Sequence, residues 1–180
     1  MPLGTTSLVA RLAEARIGTT VNFYRDGEGA ALRRARLASY LAARRGARVL
    51  LVGEAAGYRG ARISGLPFTS ERQVSGAGPA EASATIVHRI LDELGLGEEV
   101  LLWNLVPTHP HPRGSPDTNR APTRAEIAAG RCFLAELAPG RRIVAVGRLA
   151  ERELGVPYVR HPSYGGGTAF RQGLIELLGG

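Results

Sequence analysis

Val49-Leu50-Leu51-Val52-Gly53-Glu54 (VLLVGE) is apolar on both faces and then stops at a glycine and a carboxylate. Continuous apolar character over four to eight residues suits a strand in a parallel sheet covered on both sides. Three further runs read the same way: Val100 to Val106 (VLLWNLV), Arg142 to Gly147 (RIVAVG) and Pro157 to Ser163 (PYVRHPS). Helical patterns lie around and between them. Ala30 to Arg45 is rich in Ala, Leu and Arg and stops at Gly46. Residues 80–94 place Ile86, Val87, Ile90, Leu91 and Leu94 at helical spacing. Thr123 with Glu126 forms a capping box ahead of Ile127, Leu134 and Leu137. Arg148 to Leu154 and Thr168 to Leu178 supply two more helices. Strands alternating with helices predict an α/β fold, a three-layer α/β/α sandwich with a central, mainly parallel four-stranded sheet, in a single domain over residues 1–180.

Irregular segments follow three of the strands: Ala55 to Gly78, Pro107 to Pro122 and His161 to Gly167. All leave carboxyl ends of strands, where open α/β sheets hold their ligands. Long loops in small domains are usually functional, so the site is expected at this edge.

Composition narrows the chemistry. The chain has 180 residues, 44% of them apolar, and a formal charge of +7 that favours an anionic partner, nucleic acid first. All 23 basic residues are arginine. Without lysine a P-loop lacks its phosphate ligand and a Schiff-base enzyme lacks its side-chain amine. The one cysteine, Cys132, makes neither an internal disulfide nor a cysteine-rich metal site and reads as a small apolar residue on a helix. No apolar run is long enough to span a membrane, and no apolar signal core opens the chain, so a cytoplasmic protein is expected.

Two polar residues close apolar strands. Asn104 ends Leu102-Trp103-Asn104-Leu105-Val106, and its amide must be satisfied by the protein or by a ligand. His161 opens His161-Pro162-Ser163-Tyr164 and is either a hydrogen-bonded structural group or a catalyst. The first loop reads GEAAGYRG from Gly53, then GLPFTSE from Gly65; it lacks the dinucleotide pattern G-x-G-x-x-G. His109-Pro110-His111-Pro112-Arg113 has two histidines but no third ligand, which favours an ordered loop over a metal tract. Arg113 and Arg120 nearby are candidates for phosphate contact. Arg33, Arg34, Arg36, Arg44 and Arg45 read as a solvated helix face. Asn22-Phe23-Tyr24-Arg25-Asp26 reads either as a border of a DNA groove or as a hydrophobic staple for the next helix.

GEAAG, then GLPFTSE, then an asparagine closing an apolar strand, then HPS, in that order from Val49 onward, resembles the uracil-DNA glycosylase superfamily. Asn119-Arg120-Ala121-Pro122-Thr123 with Glu126, and Val144 to Gly147, are similar to its iron–sulfur, thermophile-type branch. Four cysteines hold the cluster there. Here Gly130 stands at a ligand position and Cys132 is alone, so the likeness is to a cluster-free branch with no cofactor.

The resemblance implies a role for each matching position. Phe68 stacks on a flipped base. Asn104 reads the pyrimidine edge, accepting from N3–H and donating to O4, and so rejects cytosine. His161 hydrogen-bonds O2 as charge grows on the departing base. Gly53, Glu54, Ala55 and Gly57 line the base pocket, with Glu54 a candidate to assist catalysis. Ala55 stands where the uracil branch has a water-orienting aspartate. Gly57 replaces a tyrosine that blocks the thymine methyl, which implies a wider pocket admitting thymine or deaminated purines. Gly165 matches the leucine wedge, with Tyr164 the candidate for insertion into the duplex, and Arg59, Ser163, Tyr164 and Gly165 are the candidate DNA contacts. The expected activity is a monofunctional hydrolase of the N-glycosidic bond of uracil, or a related deaminated base, in DNA, acting as a monomer. A damaged-DNA or abasic-site binder without catalysis, or a hydrolase of free nucleosides or nucleotides, are the competing readings.

Overall fold

The computed structural model describes residues 5–179. Four strands, β1 (Val49–Ala55), β2 (Val100–Val106), β3 (Arg142–Val146) and β4 (Tyr158–Val159), form one sheet in the order β2-β1-β3-β4, with every pairing parallel. The expected three-layer sandwich follows from the pleat. Along β1, Leu50 and Val52 join one apolar cluster while Val49 and Leu51 join the other. The first cluster is completed by α1 (Thr5–Glu14), α2 (Ala30–Ala43) and α6 (Arg124–Leu137). The second is completed by α5 (Ala82–Glu93) and α8 (Gly167–Leu178). Short helices α3 (Ala61–Ser64), α4 (Glu71–Ser75) and α7 (Arg148–Leu154) fill the connections. Among the described residues no helix is long and apolar enough to cross a membrane.

Strand β2 lies at a sheet edge. Its Leu102 N–H donates to the Tyr40 hydroxyl at 2.8 Å, which closes part of that edge with a side chain from α2. Helix α6 lies so close to β2 that a Cβ at Gly130 would overlap the Leu105 carbonyl oxygen. No side chain, cysteine included, fits position 130 without moving that helix.

Several expectations change. The fourth strand spans two residues rather than seven, because β3 ends at Val146 and Gly147 turns away with φ of 89°, leaving Arg160 onward no neighbour to pair with. The segment from Ala55 to Gly78 is not wholly irregular, since α3 and α4 lie within it. Asn22, Phe23 and Tyr24 are buried and border no groove. The two rings meet at 4.4 Å between centroids, the Tyr24 hydroxyl donates to the Gly65 carbonyl at 2.9 Å, and Asn22 is held by Leu12, Ala15 and Tyr24. Arg33 and Arg34 donate to the Phe23 and Tyr24 carbonyls, and Arg36 forks onto Glu71 at 2.7 and 3.0 Å, so three arginines of the supposed solvated face tie loops to α2. Cys132 does lie on a helix, α6, but on its exposed side.

Candidate active site

The carboxyl ends of the strands surround a cavity of about 530 Å³. Strand β1 contributes Glu54 and Ala55, β2 contributes Asn104, and the segment after β4 contributes His161 and Ser163. Asn104 and His161 therefore come from opposite edges of the sheet and meet over its middle.

Phe68 is the lid of this arrangement. A Cβ at Gly53 would overlap its ring and lie 2.8 Å from Asn104 Oδ1, so the ring rests on the glycine backbone beside the amide. Phe68 has φ of 50°, a left-handed conformation that costs a non-glycine residue roughly 1 kcal/mol or more. Its neighbours impose it. The Ser64 hydroxyl donates to the Thr69 carbonyl at 2.6 Å, and the Thr69 hydroxyl donates to the Pro67 carbonyl at 2.9 Å. His88 Nε2 lies 2.9 Å from that same hydroxyl oxygen, whose hydrogen is already placed, so the imidazole donates.

The Asn104 residue is only 4% exposed, yet its amide makes no hydrogen bond to another described residue. Asn22, equally buried, is fully used by the backbone around it. The contrast separates an amide that holds the fold from one left open to a ligand.

The histidines at positions 109 and 161 differ in the same way. His109 is completely enclosed, with Nδ1 2.9 Å from the Ala56 carbonyl oxygen and Nε2 3.0 Å from that of Pro116. It braces the loop behind the cavity wall, in line with the ordered-loop reading. His161 accepts at Nδ1 from the Ser163 backbone N–H at 3.2 Å, with the Ser163 hydroxyl at 2.8 Å. A backbone N–H only donates, so Nδ1 is unprotonated and the proton sits on Nε2. Burial lowers the His161 pKa, and a second proton at Nδ1 would meet the Ser163 N–H, so the ring is held neutral. Its centroid lies 6.3 Å from that of Phe68. Burial raises the Glu54 carboxyl above its ordinary value.

The remaining candidates divide. Ala55, Gly57, Ser163 and Tyr164 line the cavity, whereas Gly53 lies beneath Phe68 and is covered. Tyr164 stands at the rim, 98% exposed, with φ of 51°, followed by exposed Gly165 at 74°. Arg59 is exposed, its guanidinium 5.3 Å above the Tyr58 ring. Arg120 is not available to a phosphate: it forks onto Glu126 at 2.7 and 2.8 Å and donates to the His111 carbonyl. Glu81, from the residue ahead of α5, and Asn119 also line the cavity; Glu81 belongs to no motif in the sequence, and Asn119 opens the stretch to Thr123 without a role assigned to it there. Asn119 accepts from the Tyr58 N–H at 3.0 Å, which joins the two long loops. Among the described residues no three His, Cys, Asp or Glu side chains gather where they could hold a metal ion.

The Arg120–Glu126 pair fastens this loop to α6. Glu126 also accepts from Thr123 N–H at 2.8 Å, and Arg120 and these contacts pull its carboxyl pKa down to about 2. A carboxyl lowered by folding contributes stability above its unfolded value and loses it as pH falls through the folded one. Replacing Glu126 with Gln is expected to cost about 3 kcal/mol at neutral pH, the cost of breaking a buried pair. Thermal melts of the two proteins should converge as pH falls from about 4.5 to about 2. A constant difference across that range would show that the ion pair is not what stabilises the loop.

The sequence model of the uracil DNA glycosylase superfamily matches residues 41–173. The fold is similar to that in the crystal structure of wild-type Pedobacter heparinus SMUG2, with a TM-score of 0.62 and 14% identity over 97% of this chain and 95% of that one. No curated protein matches the chain in sequence.

Proposed function

The chain belongs to the uracil DNA glycosylase superfamily, and on that footing we propose that it is a monofunctional DNA glycosylase that removes uracil or a related deaminated base, acting as a monomer. The observation that carries this reading is Asn104, a residue only 4% exposed that lines the cavity beside the Phe68 ring and whose amide makes no hydrogen bond to another described residue.

The chemistry follows from the groups around it. A base extruded from the duplex stacks on Phe68 and exchanges hydrogen bonds with Asn104 through N3–H and O4. Cleavage of the bond between C1′ and the base nitrogen leaves the electron pair on the base, where it spreads onto O2. The Nε2–H of His161 donates to O2 and stabilises that charge. A neutral imidazole suits this role because it donates without transferring its proton, and Ser163 holds it in the required tautomer. Water adds to C1′ and gives up a proton, a role assigned to Glu54, which lines the cavity from the end of β1. The departing base is finally protonated by solvent. No lysine is present to attack C1′, so the product is an intact strand with an abasic site.

Tyr164, exposed on a left-handed turn at the cavity rim, is the side chain assigned to the gap left by the flipped base, with Arg59, Ser163 and Gly165 against the backbone. The net charge of +7 supplies affinity for phosphates. Duplexes carrying one uracil, mismatched thymine, hypoxanthine or xanthine test the reading. Strand scission after alkali, but not before it, is expected at one or more lesions, with binding that weakens steeply in salt. Tight binding to an abasic site without release of any base would favour a damage binder instead. Release from free nucleosides with little salt dependence would favour a small-molecule hydrolase.

A further inference from the structure

Gly57 and Gly60 leave a gap in the cavity wall, and a carboxylate from another element fills it. Glu81 lies just ahead of α5, where a side chain usually caps the first turn, yet it makes no such cap. Its Oε1 accepts from the Ser83 hydroxyl at 2.9 Å, which fixes the rotamer. The carboxylate then reaches across both glycines. A Cβ at Gly57 would lie 3.2 and 3.3 Å from its two oxygens, and a Cβ at Gly60 would overlap Oε2. No arginine pairs with it among the described residues, in a chain with 23 of them, and its Oε2 makes no hydrogen bond to a described residue. The absence of a side chain at Gly57 therefore does not widen the pocket as the sequence implied.

We propose that Glu81 is a specificity-determining residue that keeps the thymine methyl out of the base pocket. The proposal rests on the uracil-excision reading above. With N3–H and O4 on Asn104 and O2 on His161, the ring presents C5 and C6 to the wall formed by residues 55–57 and Glu81. A hydrogen at C5 leaves the carboxylate open to solvent. A methyl there covers Oε2 and offers no donor in exchange, which is costly for a polar group. Charge and bulk act in the same direction.

Single-turnover release of uracil and of thymine, each opposite guanine in the same duplex, is compared for the wild type, Glu81→Ala and Glu81→Gln. The thymine-to-uracil ratio is expected to rise at least tenfold in E81A, and by a smaller factor in E81Q, which keeps the bulk and removes the charge. An unchanged ratio in E81A, including a parallel fall on both bases, overturns the proposal. Should E81A fail to melt cooperatively, E81Q decides on the same ratio, and no rise there overturns it. A wild type that releases no uracil overturns the uracil-excision reading on which the proposal rests, and the role of Glu81 with it.

Discussion

Asn104→Ala is expected to lower uracil release by about 10²–10³-fold while leaving the melting temperature nearly unchanged. The magnitude comes from stranding two polar groups of a desolvated base, N3–H and O4, each costing roughly 1–3 kcal/mol when its partner is removed. The unchanged stability comes from the structure: the amide makes no hydrogen bond to another described residue, so its truncation leaves no protein group unpaired. The loss should be greater for uracil than for any residual release of cytosine, since on the proposed reading Asn104 is the group that distinguishes them. Near-normal uracil turnover would remove Asn104 from the base pocket and the pocket from the mechanism. A large loss of stability would mean that the amide holds the strand end together.

His161→Ala is expected to reduce the single-turnover rate by about 10²–10³-fold, the usual cost of deleting one donor aimed at developing negative charge. Because that charge grows only as the bond breaks, affinity for uracil-containing DNA should change little. Protonation of His161 should add no fall in rate as pH drops through the ordinary histidine range, since burial lowers its pKa and the Ser163 N–H occupies Nδ1. The profile is read in Glu54→Gln beside the wild type, because burial raises the Glu54 carboxyl and its protonation lowers the rate on its own account. A fall near the ordinary histidine value that persists in Glu54→Gln would mean that Nδ1 is not occupied as described. Weakened binding with an undiminished single-turnover rate would make His161 a positioning residue.

The parts of this molecule legible in its sequence are those set by local physics. The apolar runs of β1, β2 and β3 and the Thr123–Glu126 box are short-range signals, and each appears where expected. Helix α1 is not among the expected elements, although Leu8, Val9 and Leu12 are all buried. Phe23 and Tyr24 read either as a groove border or as a staple because Arg25 and Asp26 adjoin them; Arg25 pairs with Asp26 at the surface while both rings enter the core. Length misleads at β4, where the expected strand runs on to Ser163, past the point at which its neighbour turns away. Glu81 was illegible for a different reason: its meaning lies wholly in a contact across 24 residues with Gly57, and the only trace of it in the sequence is a pair of glycines three apart.

The left-handed Phe68 bears on turnover as well as on recognition. Its backbone is held by Ser64, Thr69 and His88, contacts internal to the protein, so the stacking surface does not depend on a bound base for its shape. Binding then requires little reordering, and the conformational cost has already been met during folding. On the proposed reading, the same readiness persists after the glycosidic bond is cut. The liberated base lies on a surface shaped for it, and free uracil in solution competes with the next lesion for that surface. Product inhibition by the free base is thus the kinetic counterpart of a preformed site.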